Sequence, residues 1–102
     1  TQVFAENANY IYMRYNGSSY IVGSYAESTG LKTYEQIDIT NQLSKNDIVV
    51  SSNWEACMST SSCRTSELAT SYYSWNSYSS YSEHNFFNNG VVVAYSDNAS
   101  SL

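Results

Sequence analysis

Thr65-Ser-Glu-Leu-Ala-Thr-Ser-Tyr-Tyr-Ser-Trp-Asn-Ser-Tyr-Ser-Ser-Tyr-Ser82 decides the fold, because it reads either as a helix or as extended chain. Hydroxyl caps at Thr65 and Ser66 ahead of Glu67 suit a helix start, where an acidic first turn meets the positive end of the macrodipole. Helical spacing then places Leu68, Tyr72, Trp75 and Ser79 on one face, with Tyr78 at its edge. Ser and Tyr are mediocre helix formers, so such a helix depends on packing. Residues 71–82 hold no aliphatic side chain, charge, Gly or Pro. Tyr supplies rigid amphipathic area at low entropic cost and Ser adapts its hydrogen bonding, a chemistry favoured on recognition surfaces. The expectation is a helix near 65–80 with Leu68, Tyr72 and Trp75 as its buried seam. Tyr73, Asn76, Tyr78 and Tyr81 are left as candidate contacts.

Outside this stretch the pattern is extended. Residues 10–15 and 18–25 are rich in β-branched and aromatic side chains and flank Asn16-Gly17, which suits a hairpin turn with positive φ. Glu27-Ser-Thr-Gly30 reads as a second turn. Glu35, Ile37 and Ile39 alternate with polar neighbours as in a strand, although Thr33 and Gln36 also fit a capping box. Residues 41–47 are polar and turn-like, and Ile48-Val-Val50 opens a strand running toward Trp54 and Cys57. Asn88-Asn-Gly90 is a turn, Val91–Tyr95 a closing buried strand, and residues 96–102 a loose tail. Lys45-Asn-Asp-Ile-Val-Val-Ser51 and Asn88-Asn-Gly-Val-Val-Val-Ala94 repeat one local solution, a polar turn feeding a valine strand.

The fold class expected is α+β, a single domain over 1–102. A mainly antiparallel sheet of about five strands packs one helix near 65–80. An all-β sandwich or barrel is the alternative. Aliphatic residues are scarce, so the core draws on Tyr, Trp54, Trp75, Phe4, Phe86 and Phe87, whose polar handles the abundant Ser, Thr and Asn can satisfy.

Charged residues make up 13% of the chain, about half the usual share, so hydroxyls and amides carry much of the solubility. The net charge is −5, and the four cations Arg14, Lys32, Lys45 and Arg64 are scattered. That distribution disfavours nucleic acid and anionic membranes, both of which need clustered cations. No apolar run approaches a bilayer span.

Cys57 and Cys63 enclose a short polar segment and suit a disulfide formed in an oxidising compartment. Asn16-Gly-Ser18 and Asn98-Ala-Ser100 are glycosylation sequons. Thr1, without an initiating Met, reads as the start of a processed chain. These features together point to a secreted protein.

Chemistry is hard to assemble. His84 is the single histidine, and a loop or helix-end role suits it better than general-base work. There is no Gly-x-Ser-x-Gly elbow, no metal-ligand spacing and no cofactor motif. Nine acidic residues leave a carboxylate-dependent hydrolase as an alternative, but no spacing singles out a pair, Glu35 and Glu67 included. Fungal guanyl-specific ribonucleases share the size, acidity and Tyr/Ser richness, yet require two catalytic histidines.

Three resemblances bear on function. Residues 3–10 are similar to the opening strand of a βγ-crystallin motif, and residues 46–52 and 97–101 are similar to its calcium loop, each out of register by one residue; this implies a calcium-binding module. Gln36-Ile-Asp-Ile39 and Ser66-Glu-Leu-Ala69 resemble segments of cyanovirin-type lectins, without that family's four cysteines; this implies glycan binding. In size and acidity the chain also resembles small secreted killer toxins and fungal effectors. The function expected is a secreted, non-enzymatic recognition protein, with a toxin or effector as the more specific version. It would bind an extracellular protein or glycan through the Tyr/Ser surface, and no oligomeric state is implied.

Overall fold

The computed structural model describes residues 5–102 and is all-β. Six strands, β1 (Ala5–Tyr15), β2 (Tyr20–Lys45), β3 (Ile48–Arg64), β4 (Leu68–Ser71), β5 (Tyr78–Asn88) and β6 (Val91–Ser101), form one antiparallel sheet curled into a half-barrel. Among the described residues no helix is long and apolar enough to cross a membrane. Thr1, the Val3 start of the crystallin-like segment and the candidate core ring Phe4 lie outside the described residues.

The helix expected near 65–80 is absent, and the all-β alternative is the class found. Thr65, the first of the would-be caps, serves the sheet instead. The Thr65 N–H donates to the Ala26 carbonyl at 2.9 Å, and the Thr65 hydroxyl accepts the Ala26 N–H at 3.0 Å. Residues 68–71 then pair with residues 24–21 of β2. From Tyr78 onward the buried positions recur every second residue: Tyr78, Ser80, Ser82, His84 and Phe86. Three of those five are polar, so a reading that looks for apolar alternation passes over the strand.

The organising element is β2, which pairs with four other strands. Its residues 27–29 have β1 on one edge and β3 on the other, whereas residues 36–45 have β3 and β5. Hence β1 and β5 share an edge but attach to different halves of β2. Between the halves, residues 30–33 of β2 stand opposite residue 61 alone, a bulge that bends the strand. Gly30 occupies the corner, where a Cβ would lie 2.9 Å from the Tyr34 ring and 3.3 Å from the Ser61 carbonyl oxygen. The turn expected at Glu27–Gly30 is therefore a bend within one strand. At the same corner the Cys57–Cys63 disulfide, with Cα atoms 5.6 Å apart, closes the bend of β3 around Ser59, whose φ is 49°. A loop this short contributes about 2 kcal/mol in the chain-entropy account.

The turn between β2 and β3 is confined to Asn46 and Asp47, at φ 52° and 66°, so Asn41 and Leu43 are interior strand residues. Asn89 and Gly90 form the equivalent turn before β6. Val91, Val92 and Val93, expected to be buried, are exposed on the edge strand, while Ser96–Ser101 pairs with β5 and is no loose tail.

Folding β2 over brings its two inner faces together around a layered core. One apolar cluster joins Ala5, Ala26, Tyr34, Ile37, Ile39 and Phe86, and the other joins Val22, Leu43, Leu68 and Tyr78. Ser24, Ser28, Asn41, Ser80, Ser82 and His84 are buried polar residues on the same inner faces. Their hydrogen bonds are mutual, as burial requires. Asn41 accepts from Asn9 (2.9 Å) and Ser80 (3.2 Å) and donates to Ser24 (3.0 Å). The outer surface has its own local cover: Tyr12 lies across Gly23, where a Cβ would meet the ring at 2.7 Å.

Candidate functional site

Both termini of β2 lie at one end of the half-barrel, with the end of β4 and the start of β5. Pairing of Tyr15 with Tyr20, Lys45 with both Ile48 and Tyr78, and Ser79 with Ser101 brings three further strand ends there. Exposed Tyr15, Tyr20, Ile48, Tyr73, Trp75 and Leu102 crowd this end. Trp75 is 77% accessible, more than any other large apolar side chain described, and stacks on Tyr73 with centroids 4.8 Å apart and planes at 26°.

The segment carrying that stack, residues 72–77, is a pinned loop. Asn46 is one anchor: its N–H donates to the Ser77 carbonyl (2.9 Å), its Oδ1 accepts the Ser77 N–H (2.9 Å), and its Nδ2 donates to Asn76 Oδ1 (2.8 Å). Tyr78 is the other. Its buried hydroxyl donates to the Ser71 carbonyl (3.0 Å) and accepts the Tyr73 N–H (2.9 Å). A loop held from both sides loses little further freedom when a partner binds.

The four candidate contacts separate. Tyr73 is 47% exposed on the platform, and half-buried Asn76 supports it through Asn46. Tyr78 is 3% exposed and belongs to the core, where its ring lies 5.8 Å from that of Tyr72. Tyr81 sits on the outer face of β5 and donates to Asp97 Oδ2 at 3.0 Å; hydrogen bonds with Tyr95 and Asp97 hold its hydroxyl above the usual phenol range. Trp75, assigned to the buried seam, is the residue that sequence reasoning missed. The signal available was its place between Ser74 and Asn76-Ser77, turn formers that interrupt a strand.

The two carboxylates named from the sequence, Glu35 and Glu67, do not converge. Glu67 pairs with Arg14 at 2.7 Å and accepts from Tyr12; these bonds hold its carboxyl below the usual range, so it stays ionised. Glu35 accepts the Asn89 N–H near the opposite end. No group of three or more His, Cys, Asp or Glu among the described residues is placed to hold a metal. Of the two calcium-loop resemblances, the first is occupied by the loop-pinning bonds of Asn46. Glu83 and Asp97 are direct cross-strand partners, and like charges so placed repel. Glu83→Lys should therefore raise stability by about 0.5 kcal/mol, read as a shift in the urea midpoint.

The sequons differ in access. Asn16 is exposed at the hairpin tip, where its Oδ1 accepts the Ser18 and Ser19 N–H groups at 3.0 and 2.9 Å. The Nδ2 of Asn98, the atom a glycan would join, is buried and has no hydrogen-bond partner. Glycosylation there requires β6 to be undocked. A cleft of about 310 Å³ beside the disulfide is lined by Glu27, Ser28, Thr29, Ser62 and Arg64 together with Cys57 and Cys63. The chain matches no protein-family model and no curated protein.

Proposed function

We propose that this is a secreted, non-enzymatic recognition protein that binds a glycan through the Tyr73–Trp75 platform. The observation that carries the reading is a highly exposed tryptophan, stacked on a tyrosine and presented by a loop that Asn46 and Tyr78 hold rigid. Flat aromatic area packs well on the apolar faces of sugar rings, and the exposed Ser74, between the two in sequence, offers a hydroxyl for a polar rim. The low charge content, the disulfide and the accessible Asn16 sequon support an extracellular setting.

The test is a glycan array followed by titration of the best ligand. Trp75→Ala should weaken binding by about 30-fold or more, the scale of an interface hot spot. The melting temperature should hardly move, because the ring contributes little to the core. Unchanged binding by Trp75→Ala would sink the reading. A protein ligand captured in place of glycan, with the same loss on Trp75→Ala, would transfer the site to a protein partner.

A further inference from the structure

We infer that His84 is an acid-sensitive latch: its protonation parts the two halves of the fold and so disassembles the Tyr73–Trp75 platform. The regulatory half of this statement rests on the recognition reading; the structural half does not.

His84 is fully buried between two serines. Ser28 Oγ gives its proton to Asn7 Oδ1 at 2.6 Å, so it can only accept from His84 Nδ1 at 2.6 Å. The imidazole therefore carries its proton on Nδ1, and its bare Nε2 accepts from Ser82 Oγ at 2.9 Å. This chain of bonds ties β1 and the first half of β2 to β5. Neither shares a backbone ladder with β5; β3 ladders with both halves of β2 along the opposite edge, so on this edge side chains hold the seam.

A second proton on Nε2 puts a charge where nothing answers it. The inward neighbours are Ile39 on β2, Ser82 and Phe86 on β5, Asn7 on β1 and Ser96 on β6, none of them ionisable. Glu55 of β3, beside Ile39, is exposed, and Glu27 and Glu83 sit on the alternate positions of their strands. Desolvation alone pushes the imidazole down to about 4. A buried unpaired cation is costly, and water reaches it when the seam opens.

The seam is also where the platform is built. Residues 72–77 run from β4, paired with the first half of β2, to β5, paired with the second. The Tyr78 hydroxyl spans the gap to the Ser71 carbonyl and the Tyr73 N–H. Parting the halves breaks that anchor.

The sign follows from linkage. The folded-state value lies below the unfolded 6.5, so stability is complete above about 6.5 and falls as pH drops toward 4. Glu67, whose value is lowered from 4.5, adds its own loss only below that pH. Between pH 7 and 4 the unfolding constant should rise about 100-fold from His84.

The test uses ligand-free wild-type protein: imidazole titration by NMR, denaturant melts, and exchange of the Asn7, Asn9 and Tyr73 amides from pH 7 to 4. Faster exchange at these sites, in step with a depressed imidazole titration, is the expected result. A histidine titrating near 6.5 with flat exchange overturns the latch, whether or not any glycan binds. His84→Asn and His84→Phe should flatten the curve above pH 4.5; if neither folds at pH 7, the wild-type titration and exchange decide alone. Acid opening without glycan binding at any pH would leave the latch standing and remove only the recognition reading.

Discussion

Phe86→Ala is expected to cost about 3–5 kcal/mol, a large part of the 5–15 kcal/mol typical of a small domain. The ring has no exposed surface and lies among Ala26, Ile37 and Ile39, with Tyr34 edge-on at 4.9 Å. Its removal leaves a cavity that β-strands bonded on both sides cannot collapse to fill. Urea denaturation should show a much lower midpoint, or no cooperative transition at all. The neighbouring Phe87 is the control. It faces the other side of β5 and is only half-buried, so Phe87→Ala should cost a small fraction of that amount. Equal effects for the two residues would contradict the register of β5.

The second large effect is expected in a polar residue. Asn41→Ala removes the acceptor of Asn9 and Ser80 and the donor to Ser24, all inside the protein. Asn9, Ser24 and Ser80 stay joined through the Ser80 hydroxyl, so the cost is that of three lost hydrogen bonds at about 1 kcal/mol each, a loss of about 3 kcal/mol, against little for an exposed Asn. In a double-mutant cycle with Ser24→Ala the two losses should sum to more than the double mutant's, because the Asn41–Ser24 bond is removed only once. Strict additivity would show that the two side chains are not coupled.

These predictions also mark how far the sequence reading reached. Local chemistry was legible where it is decided within a few residues. Asn16-Gly17 and Asn88-Asn-Gly90 are hairpin connections, and Ile37 and Ile39 alternate in a strand. Even there detail escaped: the first connection uses the whole of residues 16–19, with Asn16 bonding the Ser18 and Ser19 amides, rather than a two-residue turn. The Cys57–Cys63 bond was legible from two cysteines, with no other thiol, around a short polar segment. Of the candidate site, Tyr73 reached the platform, whereas Tyr78 and Trp75 exchanged the roles expected of them. A helical period assigned faces that a strand and a loop do not possess.

By itself, then, the sequence determined hairpin positions, a disulfide and an acidic, weakly charged surface; the aromatic core expected of it is instead mainly aliphatic, with Tyr34, Tyr78 and Phe86 buried and Trp54 and Trp75 exposed. Only the tertiary structure decided what residues 65–82 become. Apolar residues announce their burial by being apolar, but Ser24, Asn41, Ser80 and His84 are buried because partners far along the chain complete their hydrogen bonds. A period of two written in serine and histidine carries no hydrophobic signal, and the fold-back of β2 that supplies those partners is a long-range event.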